Sequence, residues 1–432
     1  MANSYLNRTP GAETTAGRKT WTYSVWLKRS KLGSSQNFLW ANQDGSNYER
    51  YMFDTNDKIY MAGVASGSTA WEMTTTRVFR DSSAWYHIMI VRDTTQGTAS
   101  NRLKLYVNGT QETAFGTNTP PAQDYTGFIN STNQHNIGRG ASSEYFDGYI
   151  SHAAFVDGAA LAQTVFGETD STSGIWKFKS PSGVTWGTNG FHLKFENSGA
   201  LGTDSSGNSN TFTVNGNLKQ ALTTPTNVYA TLNPIGFQSA DNGQLSNGSN
   251  TFSSADSGYH NLTLSNLAVD TGKWYWEVKV AGTVNNYTYI GIRDIDSNPT
   301  KNQYLGEVTG GVSLRSDGYY NVDGSFPSQF AGISYGSGDI IGVALDLDNN
   351  KIYWYENGTL VNSGGTTVTN RLYAPGASMV GNNGISHFNF GNGFFGTTAI
   401  TSAGSNGNGS LFEYDVPSGH YALNTKNINT YG

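Results

Sequence analysis

Cleaving a glycosidic bond takes two carboxyl groups facing one sugar, about 5–5.5 Å apart when configuration is retained. On a β-strand, residues i, i+2 and i+4 share a face. The glutamates of this chain stand at 13, 49, 72, 112, 144, 168, 196, 277, 307, 356 and 413, and no two lie two or four apart. Aspartates do pair at that spacing, as Asp294/Asp296 and Asp346/Asp348. Both pairs fall in stretches that read as turns, where an Asp side chain caps its own backbone. The histidines (87, 135, 152, 192, 260, 387 and 420) show neither His-x-x-x-His nor His-Glu-x-x-His spacing, so zinc has no support. There is no Gly-x-Ser-x-Gly elbow. With no cysteine, thiolate chemistry and disulfides are excluded. The expectation is a chain without catalytic residues, with carboxylate pairs from distant strands left open.

Binding chemistry has better candidates. Tyr287, Tyr304, Tyr319 and Tyr320 fall in predicted loops. A loop tyrosine can stack on a sugar face and hydrogen-bond through its hydroxyl, or anchor a protein contact. The competing role is to cover the ends of a sheet. Two oxygen-rich runs, Asp44-Gly45-Ser46-Asn47 and Asp204-Ser205-Ser206-Gly207-Asn208, hold Ca²⁺-type ligands. They also read as ordinary turns, and no cofactor is expected.

The elements that must position these residues are strands. Aromatics make up 13% of the 432 residues and charged residues 13%, and there are 53 glycines. That profile suits short strands and tight turns and disfavours long surface helices. Net charge is −6 with no Lys/Arg cluster, which argues against nucleic acid or anionic membrane as partner. The N-terminal residues lack an apolar signal region, and no stretch approaches 18 apolar residues.

Asp339–Leu360 reads as a meander. Ile340, Ile341, Val343 and Leu345 form an apolar strand, Asp348-Asn349-Asn350 turns, and Ile352 and Trp354 share the next strand's face. Asn357-Gly358 then closes a type I′ hairpin, which needs positive φ at both central residues. The string NKIYWYENGT at 350–359 echoes NRLKLYVNGT at 101–110, and each follows an apolar strand that runs into an aspartate. Two sandwiches, each with its own meander, are expected. The meander at 339–360 is expected to pack its Ile352/Trp354 face against another sheet.

Residues 1–20 read as an extended arm and AALAQTVFG at 159–167 as a short helix ended by Gly167. WYHIMIVRD…LKLYVNGT (85–110) and IGRG…YFDGYISHAAFVDGAAL (137–161) resemble the laminin-G-like, concanavalin-type jelly roll. The stretch 191–216 usually opens such domains and here comes late, so it either completes the first sandwich or leads into the second. GKWYWEVKV (272–280), YIGIRD (289–294), GVSLRSDGYYNVDG (311–324), GDIIGVALDLDNNKIYWYENGT (338–359) and LYAPGASM (372–379) are similar to the SPRY domain in order and content. That resemblance implies a two-sheet antiparallel recognition module whose loops bind protein segments.

The fold expected is all-β: a concanavalin-like sandwich over 1–224, a linker at 225–234, a SPRY-like sandwich over 235–400, then a flexible stretch and C-terminal arm over 401–432. The pairing resembles structural proteins of tailed bacteriophages. It implies a non-enzymatic virion protein (tail fibre, spike or capsid-attached fibre) that recognises a host-surface glycan or protein. Its partners would be other virion proteins and copies of itself, with a trimer expected. It would be assembled in the host cytoplasm and released by lysis. The alternatives are a polysaccharide-degrading enzyme, or a bacterial adhesin or protein-binding module. If there is a site, 285–330 is the place to look, before 339–360.

Overall fold

A computed structural model describes residues 3–141, 143–235, 243–254, 260–285, 287–297, 302–381 and 383–432. The chain is all-β and divides into two units, Met1–Gln220 and Ala221–Gly432.

In the first unit the described residues form an eight-stranded and a six-stranded antiparallel sheet. The larger runs Phe115–Thr119, Ser68–Val78, Lys58–Ala65, Asn47–Phe53, Gln36–Asp44, Gln134–Ile137, Tyr5–Arg8, Thr213–Asn215. The smaller runs Phe191–Leu193, Gly148–Asp157, Thr20–Arg29, Tyr86–Asp93, Leu103–Val107, Thr110–Gln111. Alternation in Thr20–Arg29 sends Trp21, Tyr23, Val25 and Leu27 into the core between the sheets. Arg92 from the smaller sheet and Glu49 from the larger meet in that core at 2.6 and 2.9 Å, both side chains 0% exposed. Taking two charges out of water costs several kcal/mol each. Bidentate geometry, a further hydrogen bond from the Ile129 amide to Glu49 (3.0 Å), and the Trp21 and Trp71 rings 5.3 Å from the guanidinium offset that cost.

The extended arm expected at 1–20 is built into the fold. Tyr5–Arg8 is an inner strand of the larger sheet because Leu6 belongs to the core, and Thr14 caps a short helix, Thr15–Lys19. The helix expected at 159–167 is absent. Gln163–Val165 makes one 3₁₀ turn, and Gly167–Thr169 pairs with Trp176–Phe178. Tertiary burial overrides local propensity here: Phe166 is drawn onto the outer face of the smaller sheet, against Met89, Val91, Ala154 and Val156. The late stretch 191–216 supplies an edge strand to each sheet of the first unit, Phe191–Leu193 and Thr213–Asn215.

The second unit pairs a nine-stranded sheet with a five-stranded one among its described residues. Lys273–Gly282, Ile340–Asp346 and Lys351–Glu356 are central to the first, and the register sets Trp276 beside Val343 and Val343 beside Trp354. Trp274, Trp276 and Trp354 are all 0% exposed, in the core. The five-stranded sheet runs Asn261–Leu264, Tyr373–Met379, Thr288–Asp294, Gly311–Arg315, Tyr320–Val322. Residues 225–234, read as a linker, bury Tyr229, Ala230 and Leu232 in this unit.

Residues 401–432, read as a flexible stretch and arm, fold back onto the nine-stranded sheet. Amides of Gly404 and Val416 bond across to Phe412 and Ser405 carbonyls at 2.9 and 3.0 Å. Phe412 and Val416 cover Tyr275 and Ala344 on the sheet's outer face, and Tyr421–Ala422 adds a parallel strand at Trp274–Tyr275. The anchor is Glu277, 0% exposed, whose carboxylate accepts the Glu413 and Tyr414 amides (both 2.9 Å), the Asn389 amide group (3.2 Å) and the Tyr275 hydroxyl (3.3 Å). A helix, Thr425–Tyr431, capped by Asn424, ends the chain. The spaced apolar residues of this segment bury well, which outweighs its Gly/Ser/Asn composition.

Desolvation lifts the Glu277 carboxyl from 4.5 to about 7, against the lowering effect of its backbone donors. A raised folded-state pKa means that the folded form holds the proton more tightly. The associated stability is fully present below about pH 4.5 and is lost as pH rises through about 7. Calorimetry should therefore show the second unit melting at lower temperature at pH 8 than at pH 5, with Glu277→Gln flattening that fall. An equal fall in the variant would show that Glu277 is not its source.

Candidate functional site

Three of the four tyrosines singled out above come together at one end of the five-stranded sheet. Tyr289 lies on that sheet's outer face with Leu262, Leu264 and Leu305. Tyr304 stacks on it, with centroids 4.8 Å apart and planes 15° apart. His260 packs against Tyr287, Tyr289 and Tyr304 at 6.2, 5.7 and 5.4 Å. Phe326 lies 6.0 Å beyond Tyr304, and Tyr319 6.4 Å from Phe326. The Arg315 guanidinium sits 4.9 Å from both the Tyr319 and Phe326 rings, held by two 2.7 Å bonds to Asp317.

The outer rings are the open ones: Tyr287 is 51% exposed, Phe326 40% and Tyr319 36%. Burial pulls His260 down to about 4 and pushes Tyr289 up to about 12, so both rings are neutral near pH 7. Tyr287 is presented by an Asx turn, in which Asn285 accepts the Tyr287 amide (2.9 Å) and donates to Val380 (2.6 Å). The neighbouring residues 286 and 298–301 lie outside the described residues. His260, Arg315 and Phe326 escaped the sequence reading. The Arg-x-Asp-Gly-Tyr spacing at 315–319 is the signal that could have found Arg315.

Tyr320 is elsewhere. It stacks on Phe330 (4.6 Å, 9°) and lines a groove of about 600 Å³ with Val322, Pro327, Val361 and the stretch up to Thr367.

Catalytic geometries resolve into structural ones. Ser24 Oγ lies 2.8 Å from His87 Nε2, the outward form of a nucleophile–base pair. However, His87 Nδ1 accepts from the Trp176 indole N–H (3.0 Å), which puts the imidazole proton on Nε2, pointing at Ser24. Burial depresses His87 to about 3, and its ring stacks between Trp26 and Trp176 (4.9 and 6.0 Å). This His87 cannot take the serine proton; it fastens the Trp176–Phe178 hairpin to the sheet. Asp294 caps the Asp296 amide and pairs with Arg371 (2.8 Å), and Asp346 caps Asn349 and pairs with Lys273 (2.9 Å). Asp348 accepts the Gly272 amide (3.0 Å).

The calcium donors do not fit a cation. Asp204 accepts amides from His192, Ser206 and Asn210 at 2.8 Å each, plus the Ser206 hydroxyl, and Asp44 is occupied by Ser46 and Asn47. Among the described residues no group of three or more His, Cys, Asp or Glu could hold a metal ion. No helix among them is long and apolar enough to cross a membrane.

Residues 2–166 match the concanavalin A-like lectin/glucanases superfamily, and residues 273–393 match the SPRY domain. The chain carries a concanavalin A-like domain followed by a SPRY domain. The pair makes it a carbohydrate- or protein-binding module. Among solved structures it is similar to the SPRY domain of human HERC1 (18% identity, 36% of this chain and 96% of that one, TM-score 0.31). It is also similar to a human SPRY domain (20%, 32% and 91%, TM-score 0.28) and the TRIM65 PSpry domain (13%, 37% and 88%, TM-score 0.29). No curated protein matches the sequence.

The concanavalin-like domain has a second uncommitted surface, the outer face of its eight-stranded sheet. Tyr51 and Phe53 point inward, so Arg50 points out. It lies over Tyr60 (4.9 Å) and Tyr48 (5.7 Å), 4.0 Å from Glu144, in register with Trp40. Tyr60 donates to Glu72 (3.1 Å). The side-chain oxygens of Asn37, Asn42 and Asn136 are buried without a protein partner. No sequence spacing announced this face, because it is assembled across strands.

Tyr287 and Tyr319 are 51% and 36% exposed and bury little area on folding, whereas Tyr289 is 1% exposed. Tyr287→Ala and Tyr319→Ala should each change unfolding free energy by no more than about 0.5 kcal/mol, and Tyr289→Ala should cost about 3 kcal/mol or more. Urea denaturation followed by fluorescence reads the difference.

Proposed function

We propose that this chain is a non-enzymatic attachment protein displayed on a tailed-phage particle, as a tail fibre, spike or capsid-attached fibre, where it recognises a host-surface glycan or protein. The observation that carries the reading is the aromatic end of the SPRY domain. Tyr287, Tyr319 and Phe326 stand exposed on a neutral, well-packed base of Tyr289, Tyr304 and His260. Rigid aromatic rings of this kind lose little entropy on binding and make effective contact anchors. The virion part rests on the sequence: no cysteine, low charge, and a domain pairing that resembles phage structural proteins. The same resemblance supports a homo-oligomer, with a trimer as its form.

A second contact surface is favoured by the partly exposed Tyr48, Arg50 and Tyr60 side chains, gathered on the outer face of the eight-stranded sheet. A glycan lying on this face would complement a protein or glycan held at the SPRY end.

Two measurements test the reading. Mass spectrometry of purified particles should detect the chain, and the free protein should compete with particles for adsorption to host cells. The Tyr287→Ala/Tyr319→Ala/Phe326→Ala variant should need at least tenfold more protein for the same competition. Absence from particles would overturn the virion assignment, and undiminished competition by the variant would overturn the aromatic site.

A further inference from the structure

We propose that the groove between Tyr320 and the 361–367 stretch of the SPRY domain binds a neutral oligosaccharide. This site is separate from the aromatic end and does not rest on the attachment reading.

At about 600 Å³ the groove falls within the range of roughly 300–1,000 Å³ typical of small-molecule sites. Its floor is flat and held. Tyr320 lies parallel to Phe330 at 4.6 Å, and Phe330 rests in turn on the buried Trp354 at 6.3 Å. Val322, Pro327 and Val361 make the walls apolar. The rim is polar, with the exposed Ser363 and Thr367 hydroxyls and, at Gly364, bare backbone with open space where a side chain would stand.

The loop that carries this rim is already ordered. The Asn362 side chain accepts the Trp354 amide (2.8 Å) and donates to the Ile352 carbonyl (3.0 Å) and the Thr366 hydroxyl (3.2 Å). Gly365 donates back to the Asn362 carbonyl at 2.8 Å. A ligand therefore does not have to order the loop, which lowers the cost of binding.

The lining decides the ligand class, because it holds no charged residue. The nearby Lys351 ammonium is engaged by Thr367 Oγ1 (3.0 Å) and the Gly365 carbonyl (3.5 Å). A uronate, a phosphorylated sugar or a charged peptide lying on the apolar floor would set its charge among lining residues that carry none, with the Lys351 ammonium outside that lining. A proline-rich peptide could lie on the aromatic floor, but its prolines carry no N–H to donate to the rim. A pyranose has both needed features: an apolar face for the Tyr320 ring and hydroxyls that donate and accept at the rim.

The test uses the full chain and five probes: the linear hexaoses of glucose, galactose and mannose, hexagalacturonate, and a proline-rich decapeptide. Saturation-transfer NMR and calorimetry measure binding. At least one neutral hexaose should bind, with hexagalacturonate and the peptide at least tenfold weaker. Tyr320→Ala and Gly364→Val should each weaken the hexaose tenfold or more with unchanged thermal melts, while Ile175→Ala, at an exposed side chain outside the groove lining, leaves binding as in the parent, and Tyr287→Ala is measured beside them. The proposal is overturned if no neutral hexaose binds, if the uronate or peptide is preferred, or if binding survives both groove variants. A Tyr287→Ala loss with the groove variants intact would move the ligand to the aromatic end and also overturn it.

Discussion

A two-sheet sandwich buries the faces its sheets turn towards each other, and in each unit of this chain one outward face is apolar too. Met89, Val91, Ala154 and Val156 point away from the first core, and Tyr275 and Ala344 away from the second. Leaving such faces in water would forgo roughly 25 cal/mol for each Å² of apolar surface. Both units solve this alike, with chain that follows the main strands. Residues 158–190 fold over the smaller sheet of the first unit and residues 401–432 over the larger sheet of the second. Each cover is fastened by a buried polar anchor: the His87–Trp176 bond in one, the Glu277 carboxylate and the Glu413 and Tyr414 amides in the other.

That sealing determines which surfaces remain for recognition. Among the described residues, the outer face around Arg50, the aromatic end around Tyr287 and Tyr319, and the Tyr320 groove stay open. These surfaces are built chiefly from rings, amides and hydroxyls. The charges among them are locally paired, Arg315 with Asp317 and Arg50 near Glu144. This agrees with a chain of only 13% charged residues, in which specificity comes from shape and hydrogen bonding rather than from a long-range field.

Local features were legible in the sequence. Asn108-Gly109 and Asn357-Gly358 both adopt positive φ, as a type I′ turn requires. The likeness of the two meanders goes further than composition: Asn108 accepts the His87 amide at 2.8 Å, and Asn357 accepts the Ile340 amide at 3.0 Å, the same bond at the same turn. Strand alternation set Ile352 and Trp354 on one face, and both are core. Of the loop tyrosines, Tyr287, Tyr304 and Tyr319 converge around His260 and Phe326, and Tyr320 lines a separate groove. What stayed hidden depends on distant partners. Arg92 and Glu49 are 43 positions apart and Glu277 and Tyr414 are 137 apart, and neither pairing leaves a local trace. The terminal segments were misread for the same reason, because a Gly/Ser/Asn-rich stretch looks unstructured until the sheet that it covers is known.

The claim that late segments are structural covers rather than free arms has a direct measurement: native-state hydrogen exchange of the isolated chain. The account predicts that the Glu413, Tyr414 and Leu423 amides, and those of Trp176–Phe178, exchange slowly, on the scale of the strands they cover. Rapid exchange in those segments, with Lys273–Gly282 and Tyr86–Asp93 still protected, would contradict it.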